Sequence, residues 1–230
     1  MDARLKQVAK DICPPIAWRA ASRVKQALAP LRKVSAGDGQ DLDVYWTPQM
    51  AALLETWGEG NAWLEIQMLM ANLRGTVLDI ACGTGKVMTI LDQSALEIHG
   101  CDISDMLIAK AIERGLPPER LKVCDATKMP YADRSFDYSY SVGSLEHFTE
   151  PGIEQFIAEA ARVTRIASFH MMPTSRSGKD EGWIKMLQSF HNSSVPWWVG
   201  RFERGFAKVK VLDSNWNDTL SVGKWFLCFK

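Results

Sequence analysis

From residue 76 onward, short apolar runs rich in β-branched and aromatic side chains alternate with stretches whose apolar positions recur at three- and four-residue spacing. The runs 76–81, 96–101, 121–124, 136–141 and 166–170 predict strands, and 104–114 and 151–163 predict helices. Such alternation implies crossover units and a parallel sheet, with ligands bound beyond the carboxyl ends of the strands. The last stretch differs. Residues 206–213 and 222–230 read as two strands joined by a short Asn/Asp-containing loop, which predicts a closing antiparallel hairpin. Ahead of the sheet, 43–73 reads as helical, with Pro48 near a helix start.

Nearer the N-terminus, Ile16, Ala20, Val24, Ala27, Leu28 and Leu31 recur at helical spacing, with Arg19, Arg23, Lys25 and Arg32 between them. A basic amphipathic helix is expected over 1–33 and a turn-rich linker over 34–41. Three regions follow: the helix 1–33, a linker with pre-core helices at 34–75 that can serve as a lid, and an α/β domain at 76–230.

Composition narrows the class. In 230 residues, 47% are hydrophobic and 23% charged, enough to bury a sizeable core and incompatible with disorder. The formal net charge is zero. Residues 1–33 nevertheless carry eight basic side chains against Asp2 and Asp11, so their excess of six positive charges is balanced by the same negative excess in the rest. Two roles suit the basic helix: contact with an anionic membrane surface or acidic partner, or packing on its own domain with a solvated face. The packing role is the expectation. The five cysteines are odd in number, with no Cys-x-x-Cys pair and no clustered histidines, so reduced thiols and no metal site are expected. No apolar stretch long enough to span a membrane and no secretory leader pattern stands out. The expected location is the cytoplasm, with the inner membrane surface as the alternative that the basic helix opens.

The chemistry is concentrated after the first strand. Val77-Leu78-Asp79-Ile80 runs into Ala81-Cys82-Gly83-Thr84-Gly85-Lys86-Val87, where two glycines one residue apart remove side chains that would block a ligand. A P-loop fails twice, because Ile80 stands five before Gly85 and Val87 follows Lys86. A dinucleotide fingerprint lacks its third glycine, since position 88 is Met88, which disfavours a nicotinamide-dependent oxidoreductase. An adenosine-bearing ligand without phosphates remains, with Asp79 helping to hold an ammonium group. Asp102, at the second strand end, suits an unphosphorylated ribose diol. Asp125 with Ala126, at the third, suits the adenine edge.

These stretches, together with Gly100-Cys101-Asp102-Ile103-Ser104, the run from Cys124 to Tyr131 and Ser135-Phe136-Asp137, resemble the class I S-adenosylmethionine-dependent methyltransferases of the small-molecule type, methyltransferase domain 11, over roughly residues 70–170. The resemblance implies an α/β, Rossmann-like fold: a seven-stranded, mostly parallel sheet with an antiparallel last strand and helices on both faces, to which the extra N-terminal helix is added. It also implies that Asp79, Ala81, Gly83, Gly85, Asp102, Ile103, Asp125 and Ala126 contact S-adenosylmethionine, together with backbone near Ser141 and Val142. Met106 resembles the family's hydrophobic adenine cover.

The sulfonium methyl is already electrophilic, so transfer needs mainly collinear positioning, and a base only for acceptors that lose a proton. His147, beside Glu146, and His170 fall after the fourth and at the end of the fifth strand, and are the candidate bases. All nine tryptophans lie outside 64–182, which points to the flanks for acceptor contacts. Arg176, Lys179 and Trp183 in the polar segment after His170 are candidates for gripping a polar acceptor, and Tyr45 and Trp46 for folding over the cofactor. The expected reaction is methyl transfer to a hydroxyl of a small molecule, for example a saccharide or lipid-linked glycan. An N- or C-methyltransferase and a non-catalytic, cofactor-binding partner subunit are the alternatives. A nucleic-acid acceptor is not expected, because the core is net acidic and lacks an Asn/Asp-Pro-Pro-Tyr signature. Nothing in the pattern sets an oligomeric state.

Overall fold

The computed structural model describes residues 48–91, 95–185 and 189–230, with side chains from Ala51 onward. The expected basic helix at 1–33, the linker at 34–41, Tyr45 and Trp46 lie outside the described residues.

Seven strands form one sheet: β1 (Gly75–Ile80), β2 (Leu96–Asp102), β3 (Leu121–Val123), β4 (Phe136–Val142), β5 (Thr164–Ser175), β8 (Lys208–Asn217) and β9 (Ser221–Phe229). Their spatial order is β3-β2-β1-β4-β5-β9-β8. The first five pair in parallel, and β9 runs antiparallel to both of its neighbours. The Rossmann-like sheet and the closing hairpin are therefore as the sequence predicts. The chain starts at β1, builds outward to β3 and then returns to β4, so β1 and β4 flank the switch point where a crevice opens.

Side-chain alternation divides the core between the two sheet faces. Leu78 and Ile80 of β1, with Phe226 and Cys228 of β9, pack on one side beneath helices α5 (Glu150–Val163) and α6 (Val195–Phe202), through Phe156, Trp198 and Phe202. Val77, Trp225 and Leu227 point the other way and meet Ile66 and Met70 of α2 (Ala62–Met70) and Met88 of α3 (Lys86–Leu91). Helix α4 (Asp105–Glu113) begins at an N-cap, Ser104, whose hydroxyl accepts from the Leu107 amide.

Three local details are added. Within the stretch read as helical, the described residues form two helices, α1 (Pro48–Leu54) and α2, separated by a turn that holds Gly58 and Gly60; Gly60 has φ 79°, and the Trp63 ring occupies the space where a Gly58 side chain would stand. Strand β5 continues five residues past His170, since β9 pairs with it as far as Ser175–Ser221. Between β5 and α6 lies a small second sheet, β6 (Gly182–Ile184) with β7 (Phe190–Asn192), which the polar composition of that segment did not announce.

Candidate functional site

A crevice opens over the carboxyl ends of β1, β2 and β4 and the loop after β3. Its first wall is the turn after β1. Ala81, Gly83 and Gly85 all have positive φ, at 61°, 56° and 70°. Gly83 lines the crevice, and a Cβ there would meet only Leu54 Cδ1 at 3.5 Å. Gly85 does not line it. Its missing side chain makes room for Leu116 and for Ala111 of α4, so this glycine serves helix packing rather than ligand approach.

The second wall is built on Asp102. Its Oδ2 accepts from the Gly83 amide and its Oδ1 from the Ser104 amide, both at 2.9 Å, so one carboxylate ties the glycine turn to the start of α4. Burial raises the Asp102 carboxyl above its usual range, and these amide bonds oppose the rise. Each oxygen keeps a second acceptor lone pair for a diol. Asp79 is 3% exposed, and its Oδ2 accepts from the Tyr140 hydroxyl at 2.8 Å. Burial drives its carboxyl well above the usual range, the Tyr140 bond pulls it back, and Asp102 pushes it up again. No Lys or Arg forms an ion pair with Asp79 among the described residues. A cationic ligand group there would relieve that burial. Asp125 Oδ1 accepts from the amide and hydroxyl of Thr127, both at 2.8 Å, which orients the carboxylate beside Ala126 and Ile103 in the wall.

Asp79, Asp102 and Asp125 thus face one space in which, among the described residues, Lys86 is the one lysine or arginine of the wall, and its ammonium lies over the Trp63 ring at 5.3 Å. Three carboxylates against one lysine is the wrong charge for a diphosphate and the right one for a sulfonium nucleoside with an ammonium and a diol. S-adenosylmethionine therefore fits the residues present.

The remaining wall brings in residues that sequence reasoning did not assign. Leu54 and Trp63 come from the pre-core helices, Trp57 from the turn between them, and Gly143, Ser144 and Phe148 from beyond β4. Trp57 packs against Gly143, where a Cβ would stand 3.1 Å from the indole ring. The signal available beforehand was the clustering of tryptophans in the flanks. The pre-core segment is fastened at two points. Glu55 Oε1 accepts from the Thr84 hydroxyl at 2.8 Å and from Arg114 at 2.5 Å, while Arg114 Nε donates to the Thr84 carbonyl at 3.0 Å. Glu65 accepts from the Ser214 hydroxyl, the Asn215 amide and Trp225 Nε1, at 2.6 to 2.7 Å.

His147 lies in the wall with Val142. Its Nδ1–H donates to the Ser189 carbonyl at 2.9 Å, which puts the basic lone pair of the neutral ring on Nε2. The expectation of a base at His170 is corrected. His170 is fully buried away from the crevice, bonded through Nδ1 to Ser141 and through Nε2 to Ser168, and stacked on Phe202. Burial pushes its imidazolium down to about pH 3. Ser141 and Met106 are likewise absent from the wall: Ser141 turns inward to His170, and Met106 is half-buried on α4. Arg176, Lys179 and Trp183 do not line the crevice either. Arg176 is engaged with the Asp218 and Ser221 carbonyls, Lys179 is exposed on a turn, and Trp183 lies edge-on to His191.

Comparison with known proteins finds methyltransferases. Residues 77–166 match the family described as a methyltransferase domain. A mouse (Mus musculus) protein named probable tRNA methyltransferase 9B is 32% identical over 108 residues, 46% of this chain, and the chain spans 23% of that relative's length. Demethylmenaquinone methyltransferase of Desulfitobacterium hafniense (strain Y51) is 29% identical over 173 residues, covering 68% of this chain and 64% of the relative. Among solved structures, Haemonchus contortus phosphoethanolamine N-methyltransferase 2 in complex with S-adenosyl-L-methionine superposes with a TM-score of 0.65 at 17% identity, over 86% of this chain and 60% of that one.

Proposed function

From the premise that this chain carries a class I S-adenosylmethionine-dependent methyltransferase domain, we propose that it methylates a hydroxyl oxygen on a small, uncharged ring compound, with His147 as the general base. Asp79 holds the ammonium group of the cofactor, Asp102 the ribose diol, and Asp125 with Ala126 the adenine edge. The cofactor supplies an activated methyl group. The residues around it orient the acceptor, exclude water and take up a proton.

The observation that carries the reading is His147 in the crevice wall with its basic lone pair on Nε2, in a wall that also holds Phe148, Val142, Trp57 and Leu54. Apolar and aromatic walls suit a flat ring. Among the described residues Lys86 is the one lysine or arginine in the wall, beside three carboxylates, which argues against an anionic acceptor. The same charge argues against tRNA, the acceptor class in the name of the mouse relative.

A second reading, methylation of a ring carbon, is favoured by the aromatic walls together with the quinone in the name of the Desulfitobacterium relative. Removing a proton from a phenolic hydroxyl makes both the oxygen and the adjacent ring carbon nucleophilic, so one base serves either outcome.

The test is methyl transfer from labelled S-adenosylmethionine to a panel of phenols, quinols, sugars, amines and bulk tRNA, with the product position read by NMR. Turnover of phenols or quinols that is lost in His147→Ala supports the reading. Turnover of tRNA or amines alone overturns it, as does full activity of His147→Ala on a hydroxyl acceptor.

A further inference from the structure

Behind the crevice wall lies a carboxyl group that the reading above does not use. Glu146 is 4% exposed, and its Oε2 has no hydrogen-bond partner among the described residues. Its Oε1 stands 3.7 Å from His147 Nε2, and also 3.7 Å from the point where a Gly143 side chain would begin. His147 and Gly143 are both wall residues, so the carboxyl sits directly behind the wall between them.

The short 3-10 turn Leu145–His147 fixes this arrangement from two sides. The His147 amide donates to the Ser144 carbonyl at 3.1 Å, and its ring is held by the Ser189 carbonyl near β7. The other ionisable groups of this quarter do not compensate Glu146. Glu150 at the start of α5 pairs with Arg201 of α6 at 2.7 Å, and Arg201 also lies over the Trp197 ring. Glu154 of α5 pairs with Arg204. On β7, His191 stacks on Trp197, and on β5 His170 is spent on its two serines. Among the described residues, the cation able to face the Glu146 carboxylate is therefore the His147 imidazolium.

We propose that Glu146 is a positioning residue for the base: it orients His147 and balances the charge that the ring acquires during transfer. The inference rests on the reading of His147 as the base. In the step, a bond forms between the acceptor oxygen and the methyl carbon, and the carbon–sulfur bond breaks with its electron pair going to sulfur. The acceptor's hydroxyl proton passes to His147 Nε2. The resulting imidazolium and the Glu146 carboxylate form a buried pair of zero net charge. Burial raises the Glu146 carboxyl, and the nearby His147 opposes the rise.

The experiment is an NMR titration of the His147 ring in the full chain saturated with S-adenosylhomocysteine, with the resonance assigned by its loss in His147→Gln. It compares the wild type with Glu146→Gln and Glu146→Asp. Removing the carboxylate is expected to move the ring's titration about one unit to lower pH, and Glu146→Asp to restore most of it. An unchanged midpoint in Glu146→Gln overturns the inference. Should Glu146→Gln not fold, Glu146→Asp decides alone: a midpoint moved to lower pH as the carboxylate is drawn back by one methylene supports pairing, and an unchanged midpoint overturns it. The acceptor screen on His147→Ala judges the base itself, so each reading can fail without the other.

Discussion

The Tyr140 hydroxyl donates to Asp79 Oδ2 at 2.8 Å, and both side chains are buried where β1 and β4 run side by side. Asp79 is thereby kept in the crevice wall as a carboxyl group that folding makes harder to ionise, chiefly through burial. The folded state holds this proton more tightly than the unfolded state. The stabilising contribution is therefore complete below the unfolded value near 3.8 and is lost as pH rises through the raised folded value. Asp79→Asn removes that loss. In the ligand-free protein it should raise the melting temperature at pH 7 to 8 by about 2–4 °C and change it little near pH 4. It should also abolish stabilisation by S-adenosylhomocysteine. Thermal scans with and without ligand across that pH range check both effects, and identical curves for the two proteins would refute them.

Ala81 occupies the left-handed region with φ 61°, in the wall of the crevice. An L side chain there costs about 1–2 kcal/mol that glycine avoids. Ala81→Gly is expected to stabilise the protein by about 0.5–1 kcal/mol, net of the unfolded-state entropy of glycine. Urea denaturation measures this, and a loss of stability would show that the methyl group makes a compensating contact.

The two glycines of the turn should respond differently. Gly85→Ala drives a methyl group into Leu116 and Ala111 as well as straining φ, and is expected to destabilise the fold by about 2–4 kcal/mol. Gly83→Ala meets only Leu54 and should cost about 1 kcal/mol of strain, while weakening S-adenosylhomocysteine binding more than Gly85→Ala does in its folded fraction. Denaturation curves paired with calorimetry separate the two effects. Equal stability losses would contradict the packing role of Gly85.

The Glu55–Arg114–Thr84 cluster joins α1 to the glycine turn. Burial acts to raise the Glu55 carboxyl, but the bonds from Arg114 and Thr84 outweigh it and hold the group below its usual range. Its contribution is therefore present above the unfolded value near 4.5 and fades as pH falls through the lowered folded value. Arg114→Ala should cost about 1 kcal/mol, the partly exposed pair being screened by water. It should weaken cofactor binding about five- to tenfold by loosening Leu54 and Trp57 from the wall. Isothermal titration calorimetry at pH 7 checks the affinity, and an unchanged value would mean that α1 is held without the cluster.

The parallel run of the first five strands and the meeting of Asp79, Asp102 and Asp125 on one rim were legible from the chain alone, whereas the spatial order of those strands was not. A right-handed crossover between parallel strands puts successive strand ends on the same edge, so residues far apart in sequence converge once the alternation is recognised. Near one another in the chain, His147 and His170 could not be sorted in this way. Strand β5 is buried on both faces, Phe169 and Met171 on one and His170 and Met172 on the other, so alternation carries no signal about which face meets the crevice. Packing decided it, placing Phe202 over His170 and the Ser189 carbonyl against His147. Packing likewise set Trp57 on Gly143 and Glu146 behind the wall, because such contacts depend on where whole elements dock. Local spacing determines a side chain's direction along its own helix or strand, and only the assembled layers determine what it meets there.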